Sequence, residues 1–226
     1  MAAMNGDKPK EWTDLEDVAA KMLVPGVTPQ QVTDYYNTWA KSGYDVKIAQ
    51  EFSRPQKILG DQLKELFPKN REKYSVLDVG AGTGITGQHL RQIGFLTIDA
   101  LEPAPEMLRV AMEKKIYRND YSCYLTGEPT EIPAASYDAA VLVGVVGHGH
   151  LPCAAFEEMA RLVKPGGYIV NCMREAYLHE IPEYIQNWEP MIARLEKEGK
   201  WKVVKMERYK NHFIGKDGLL TVFHVC

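Results

Sequence analysis

A predicted strand that runs directly into a glycine-rich turn is the feature that most constrains the fold of this chain. Residues 76–84 read VLDVGAGTG, so that Gly80, Gly82 and Gly84 follow an apolar run. Glycine lets the backbone turn sharply and approach a bound ligand without a Cβ atom in the way. The segment therefore predicts a buried strand, a ligand-binding turn and a helix.

An acidic residue follows this turn at the position that a nucleoside cofactor requires. Glu102 comes directly after Leu101 at the end of the next predicted strand. A carboxylate at that tip can accept hydrogen bonds from both hydroxyls of a ribose. A glycine turn alone is often an ordinary tight loop, and a lone Glu is usually solvated. The two together indicate a nucleoside-type cofactor.

Beyond the turn, short apolar strands alternate with amphipathic helices. Strands are predicted at residues 75–79, 96–101, 139–143 and 168–172, with a weaker one at 121–125. Helices are predicted between them at residues 85–93, 105–115 and 153–163. Repeated alternation of this kind favours a parallel sheet covered by helices on both faces. The sequence thus predicts a doubly wound α/β domain.

The two ends of the chain carry further elements. Apolar spacing predicts helices at residues 29–40, after the N-cap Thr28, and at residues 55–67. A helical segment is predicted from Pro182 to about Gly199, with a bend at Pro190. Two final strand-like stretches are predicted to form a hairpin at the edge of the sheet, at residues 202–208 and 219–225.

Composition narrows the classes of partner. The 226 residues are 45% hydrophobic and carry a formal net charge of −3, which suits one globular domain and gives no basic footprint for nucleic acid. No apolar run reaches the length that crosses a bilayer, and the four cysteines have no paired spacing that would hold a metal. We therefore expect a cytoplasmic protein with no nucleic-acid partner, no membrane partner and no bound metal.

The pattern of the glycine turn separates two kinds of cofactor. Nicotinamide enzymes use the spacing G-x-G-x-x-G, whereas this chain reads D-x-G-x-G-x-G from Asp78. That pattern resembles motif I of the class I S-adenosylmethionine-dependent methyltransferases. The resemblance continues in three later segments, EPAPEML at residues 102–108, YDAAVLVGVV at 137–146 and RLVKPGGYIV at 161–170.

More narrowly, three segments resemble the Williams-Beuren syndrome methyltransferase-like family. They are YYNTWAKSGYD at residues 35–45, GVVGHGHLP at 144–152 and LVKPGG at 162–167. The resemblance implies a Rossmann-like, doubly wound α/β fold with a mostly parallel seven-stranded sheet, an antiparallel edge strand and N-terminal lid helices. It also implies S-adenosylmethionine as cofactor and S-adenosylhomocysteine as product.

The polar, linker-like start of the chain, from Met1 to about Trp12, and the same resemblance together suggest a division of the chain. Residues 1–27 are expected to be an N-terminal extension, partly disordered, and residues 28–226 the methyltransferase domain. Within that domain, residues 28–70 would form the helices that cap the cofactor.

The residues that the resemblance places at the cofactor include the glycine turn, the acidic residue after the second strand and an aromatic lid. They are Tyr36, Trp39, Tyr44, Asp78, Gly80, Ala81, Gly82, Thr83, Gly84, Glu102, Pro103, Met107, Gly127, Glu128, Val143 and Gly144. Some of these residues have a second interpretation. Asp78 could bond the ammonium group of the ligand or hold the glycine turn, and Met107 could contact adenine or pack in the core. Gly127 and Glu128 stand where the family usually has G-D-A.

The segment after the fourth strand is the predicted rim of the active site, because ligands bind outside the carboxyl ends of the strands in open α/β sheets. His148 and His150 lie there and could orient or deprotonate a methyl acceptor, or could simply be solvated. Arg174, beyond the fifth strand, could bind an acidic group of the substrate or remain in solvent.

The predicted function is transfer of a methyl group to an N or O atom of a small molecule, because the chain is compact and the aromatic lid suits an enclosed site. Three alternatives remain open from the sequence. The acceptor could be a protein, or the chain could be a module that binds the cofactor without turnover. A nicotinamide-dependent dehydrogenase is the third alternative, which the glycine spacing disfavours.

Overall fold

The computed structural model describes residues 24–41, 44–48 and 53–226. Most of the predicted N-terminal extension therefore lies outside the described residues, and its predicted partial disorder lies there too. The division of the chain into an extension and a domain stays a prediction.

A single mixed sheet organises the described residues. Its seven strands are β1 Ser75–Val79, β2 Thr97–Leu101, β3 Asp120–Tyr121, β4 Tyr137–Val143, β5 Val163–Arg174, β6 Trp201–Phe213 and β7 Lys216–Val225. They lie in the order β3-β2-β1-β4-β5-β7-β6. The first five strands pair in parallel, and β7 is antiparallel to both β5 and β6. This architecture confirms the predicted doubly wound fold. The antiparallel strand is β7, which lies beside the edge strand β6.

Helices cover both faces of the sheet and its carboxyl edge. They are α1 Pro29–Ala40, α2 Tyr44–Ile48, α3 Ser53–Leu66, α4 Ile85–Gln92, α5 Pro105–Glu113, α6 Ala155–Leu162, α7 Tyr177–Glu180 and α8 Pro182–Lys197, with a 3-10 turn at Arg71–Lys73. None of these described helices is long and apolar enough to cross a membrane.

The central strands are apolar on both sides because each side meets a layer of helices. In β4, Leu142 packs into a core with Phe156 of α6 and Trp188 of α8. Its neighbour Val141 packs on the opposite face with Leu63 of α3. Successive side chains of a strand point to opposite faces, so a strand buried on both faces reads as a continuous apolar run.

The described elements follow the sequence predictions, although most of their bounds are shifted by one or more residues. The helix predicted to open at Pro55 begins at Ser53. The third strand ends at Tyr121, so the residues that follow it are free to form part of a cavity wall. The helix predicted to continue through Val163 ends at Leu162, because Val163 already pairs with Tyr137 in the sheet. β5 therefore includes most of the LVKPGG segment, with a bulge where the pairing shifts between Tyr137 and Ala139.

The C-terminal hairpin forms as predicted, but its strands are longer than the two predicted stretches at residues 202–208 and 219–225. β6 and β7 pair from Trp201 opposite Val225 to Phe213 opposite Lys216. The hairpin thus extends beyond the end of β5, where Arg174 pairs with Gly218. This extension brings the end of β6 to the carboxyl edge of the sheet. Before the hairpin, α8 runs without interruption through Pro190.

Candidate active site

The carboxyl ends of the parallel strands open into a cavity of about 450 Å³. Its floor is the glycine turn after β1 and the residues that follow β2 and β4. Its cover is α1 with α2, and the end of β6 forms part of its wall. A volume of this size falls in the range of small-molecule sites, roughly 300–1,000 Å³.

The three glycines of the turn have different reasons to be glycine. All have positive φ, which is +66° at Gly80, +55° at Gly82 and +91° at Gly84. A Cβ atom at Gly80 would lie 2.6 Å from Val145, and one at Gly84 would lie 3.1 Å from Tyr117. A Cβ atom at Gly82 would meet nothing within 4 Å. Gly82 is therefore the glycine whose backbone faces the open cavity.

Glu102 ties the end of β2 to this turn. Its carboxylate accepts a hydrogen bond from the Gly82 N–H at 2.9 Å and another from the Ala104 N–H at 2.8 Å. Burial raises the pKa of the Glu102 carboxyl to about 7, although both hydrogen bonds act in the opposite direction. Each carboxylate oxygen has a second lone pair, so that Glu102 can still accept hydrogen bonds from a ligand.

Asp78 lies behind the turn and does not line the cavity. It is fully buried, and its Oδ2 accepts a hydrogen bond from the Tyr117 hydroxyl at 2.6 Å. Burial raises the pKa of its carboxyl to about 7. Since Tyr117 also packs against Gly84 and Gly87, this geometry favours the interpretation in which Asp78 holds the turn.

An aromatic cluster on the cover faces the turn. The Trp39 and Tyr44 rings meet edge to face with centroids 4.6 Å apart, and the Tyr36 ring lies 6.3 Å from each of them. Beneath the cluster, Met107 is 1% exposed and belongs to the same apolar group as Trp39 and Val32. Met107 thus both packs in a core and lines the cavity.

Polar contacts fix the cover to the rest of the domain. The Thr83 hydroxyl of the glycine turn donates to Asp45 of α2, and Lys114 pairs with the same carboxylate at 2.6 Å. The Asn37 side chain of α1 accepts a hydrogen bond from the Glu106 N–H at 2.9 Å. The cover therefore contacts the glycine turn itself as well as the helix that follows β2.

His150 and Tyr36 join the cover to the loop after β4. His150 Nδ1 lies 2.6 Å from the His148 carbonyl oxygen, and Nε2 lies 3.1 Å from the Tyr36 hydroxyl. A carbonyl oxygen can only accept, so Nδ1 carries the proton and the Tyr36 hydroxyl donates to Nε2. Burial lowers the pKa of His150 and raises that of Tyr36 well above its usual value. Both groups are therefore neutral near pH 7.

The structure brings most of the predicted site residues to one cavity. Those that line it are Tyr36, Trp39, Tyr44, Gly80, Ala81, Gly82, Thr83, Glu102, Pro103, Met107, Val143, Gly144 and His150. Those that do not line it are Asp78, Gly84, Gly127, Glu128 and His148. Gly127 packs against Ala154, and Glu128 is exposed, so neither is placed at the cavity wall.

Several lining residues escaped the sequence analysis, and two groups of them stand out. The first is the segment after β3, which consists of Cys123, Tyr124, Leu125 and Thr126. The sequence predicts a weak strand over this segment, which gave no reason to place it at the cavity. The structure shows that strand pairing ends at Tyr121, so the segment is available to line the cavity. The second group is His212 and Phe213 at the end of β6. No local signal marks these residues, because the hairpin that carries them reaches the site only through tertiary pairing.

A bound metal ion requires several ligand side chains that lie close together. Within residues 24–41, 44–48 and 53–226, no three His, Cys, Asp or Glu side chains are grouped so as to hold a metal ion.

The sheet order and the cavity define a class I S-adenosylmethionine-dependent methyltransferase. The sequence profile of the methyltransferase domain matches residues 50–203. The chain belongs to this methyltransferase domain family, whose cofactor is S-adenosylmethionine. The resemblance and the cofactor predicted from the glycine turn are thereby confirmed.

Known proteins show how far the similarity extends. Human methyltransferase-like protein 27 is 30% identical over 195 residues, which are 85% of this chain and 78% of that protein. A ubiquinone biosynthesis O-methyltransferase from Neisseria meningitidis is 27% identical over 139 residues, 54% of this chain and 58% of the relative. A methyltransferase from Aquifex aeolicus, described as SAM dependent, superposes with a TM-score of 0.58 at 21% identity. This last likeness, over 84% of this chain and 98% of that structure, shows the fold.

Proposed function

We propose that this protein transfers a methyl group from S-adenosylmethionine to an N or O atom of a small molecule. The observation that supports this most directly is that the glycine turn, Glu102 and the Tyr36–His150 pair all line one cavity. A cofactor site and a site that can accept a proton are therefore next to each other.

The residues present fit the cofactor. Gly82 offers open space at the turn, where its backbone could approach the amino acid end of the ligand, and Glu102 would accept the ribose hydroxyls. The adenine would lie between Met107 and the segment that begins at Cys123. The bound cofactor supplies an electrophilic methyl group on a sulfonium sulfur.

The Tyr36–His150 pair can take a proton from the acceptor. The single lone pair of His150 Nε2 is occupied by the Tyr36 hydroxyl, so an acceptor cannot bond to Nε2 directly while this contact holds. We infer a relay in which the Tyr36 oxygen accepts the proton of the acceptor and passes its own proton to His150. The His148 carbonyl keeps the imidazole in the tautomer that this requires.

A small molecule is favoured over a protein because contacts between the cover and the opposite side span the site. Tyr36 contacts His150, and the Thr33 hydroxyl lies 2.6 Å from that of Tyr124 on the opposite wall. A segment of a folded protein would have to displace these contacts to reach the cavity. The name of the Neisseria relative also specifies O-methyl transfer in the biosynthesis of a small molecule.

Two measurements test the proposal. Titration calorimetry with S-adenosylmethionine, S-adenosylhomocysteine and NADH should show micromolar binding of the two sulfur ligands and no binding of NADH. Methyl-tritiated S-adenosylmethionine is then incubated with the protein and with separated low-molecular-weight and protein fractions of a cell extract. We expect label to enter the low-molecular-weight fraction.

Either alternative has a distinct outcome in the same experiment. Label that enters only the protein fraction would make a protein the acceptor. Cofactor binding without transfer to any fraction would favour a module that binds the cofactor without turnover. The predicted cytoplasmic location is independent of both measurements and stays a prediction.

The raised pKa of Glu102 predicts a pH dependence of cofactor binding. Ribose hydroxyls donate to the ionised carboxylate, and this carboxyl ionises at a pKa of about 7. Affinity for S-adenosylhomocysteine should therefore rise with pH, by about tenfold between pH 6 and pH 8 for one group titrating midway. Calorimetry across this range measures the change.

Glu102→Gln provides the comparison, because the amide does not titrate. This variant should bind more weakly and show a flat profile over the same range. A slope that persists in Glu102→Gln would assign the titration to another group, of which Asp78 is the first candidate because its pKa is also about 7.

A further inference from the structure

The cavity wall carries few charged side chains. Among the described residues that line the cavity, Glu102 and Arg174 are the two with acidic or strongly basic side chains. Glu102 follows β2 and accepts a hydrogen bond from the glycine turn. The two lining histidines are neutral at pH 7, because burial lowers the pKa of His150 and lowers that of His212 to about 4. Arg174 is thus the positive group of the region outside the cofactor turn.

The guanidinium of Arg174 is held in place without an acidic partner among the residues that the structure describes. Its central carbon lies 5.2 Å from the centroid of the Tyr177 ring, which positions it by a cation–π contact. Its Nε is buried and has no hydrogen-bond acceptor among the described residues. The adjacent Glu175 does not neutralise it, since that carboxylate pairs with Arg208 at 2.8 Å and His179 at 3.3 Å.

Arg174 lies at the part of the cavity where we expect the methyl acceptor to bind. Arg174 is the last residue of β5, and the Gly144 N–H after β4 donates to the Cys172 carbonyl at 3.0 Å. The neighbouring ends of β4 and β5 therefore share one part of the cavity rim. Arg174 lines the same cavity as the Tyr36–His150 pair while contacting a different group, the Tyr177 ring.

We propose that Arg174 binds a carboxylate of the methyl acceptor, so that the substrate is a small organic acid methylated at a separate N or O atom. The inference rests on the proposed function and extends it to a substrate class. A guanidinium whose buried Nε has no acceptor and which has no acidic partner among the described residues favours an anionic ligand, and a carboxylate matches its planar fork. A carboxylate neutralised in this way is a poorer nucleophile, which is why we assign it to anchoring rather than to the reacting atom.

A monoanion suits the site better than a phosphate. One guanidinium supplies one positive charge, and the neighbouring His212 is neutral. A phosphate monoester carries a charge of about −1.5 to −2 near pH 7 and three strong acceptor oxygens, which calls for further cationic or N–H donors. No lysine lies among the described residues of the cavity wall.

The test measures binding of acids and their carboxamides to the protein saturated with S-adenosylhomocysteine. The probes are 4-hydroxybenzoate, 4-hydroxyphenylacetate and indole-3-acetate, each compared with its own carboxamide, together with phenyl phosphate. In the wild-type protein, at least one acid should bind about tenfold or more tighter than its amide, as expected for loss of one charged hydrogen-bond partner. In Arg174→Gln that preference should fall below about twofold.

Lys210→Gln is the matched control, because it removes one positive charge from an exposed side chain of β6 that pairs with Asp217. It should keep the preference for acids, and both variants should bind S-adenosylhomocysteine as the wild type does. An absence of any acid preference, its persistence in Arg174→Gln, or tighter binding of phenyl phosphate would overturn the assignment. Failure of the wild type to bind S-adenosylhomocysteine would instead contradict the proposed function itself.

Discussion

Gly82→Val is expected to lower the affinity for S-adenosylhomocysteine by about a hundredfold or more, because the new side chain would enter the space that the ligand needs. The unliganded protein has room for it, since a Cβ atom at Gly82 would meet nothing within 4 Å. The cost to folding is limited to the left-handed backbone at φ +55°, about 1–2 kcal/mol. Calorimetry and thermal unfolding of the same preparation separate the two effects.

Gly199→Val is the matched control for backbone strain. Gly199 follows α8 with φ +71°, and a Cβ atom there would also meet nothing within 4 Å. It lies outside the cavity, so this variant should lose similar stability and keep its affinity for the ligand. Equal affinities in the two variants would show that the cofactor does not approach the backbone at Gly82.

His150→Ala is expected to lower kcat by about a hundredfold or more, the usual contribution of a positioned acid–base group, while leaving the affinity for S-adenosylhomocysteine within about twofold. The relay further predicts that Tyr36→Phe loses a similar amount and that the double variant loses little more than either single one. Residues that act as a unit are non-additive in this way. The acceptor identified by tritium transfer serves as substrate for these rates.

Substitutions of two other histidines serve as controls for His150→Ala. His179→Ala changes an exposed side chain of α7 that bonds to Glu175, and kcat should be unaffected. His148→Ala keeps the backbone carbonyl that orients His150, so its effect should be much smaller than that of His150→Ala. Additive losses in His150→Ala and Tyr36→Phe would contradict the relay, and a common loss of cofactor binding would give both residues a structural role.

The parts of the fold that could be predicted are those with a local cause. The bounds of α1 and β1 were predicted to the residue, because Thr28 caps the helix and the glycine turn ends the strand. The short extent of β3 could not be predicted, since the sequence after Tyr121 is compatible with a strand and only pairing with β2 decides its end.

The candidate site divides in the same way. The glycine turn and Glu102 have a sequence signal, and the structure places them together on the cavity wall. The orientation of Asp78 depends on Tyr117, which is distant in sequence. The contact between Tyr36 and His150 likewise depends on how α1 lies over the loop after β4. Such relations between separate elements leave no trace in local residue spacing.

The contact between Tyr36 and His150 also bears on how the cofactor is protected. Tyr36 belongs to the cover and His150 to the loop after β4, so any arrangement with α1 away from the sheet would separate the two residues of the proposed relay. Reactivity and shielding from water would then arise together. An enzyme assembled in this manner does not present an activated sulfonium to solvent, which limits wasteful hydrolysis of its methyl donor.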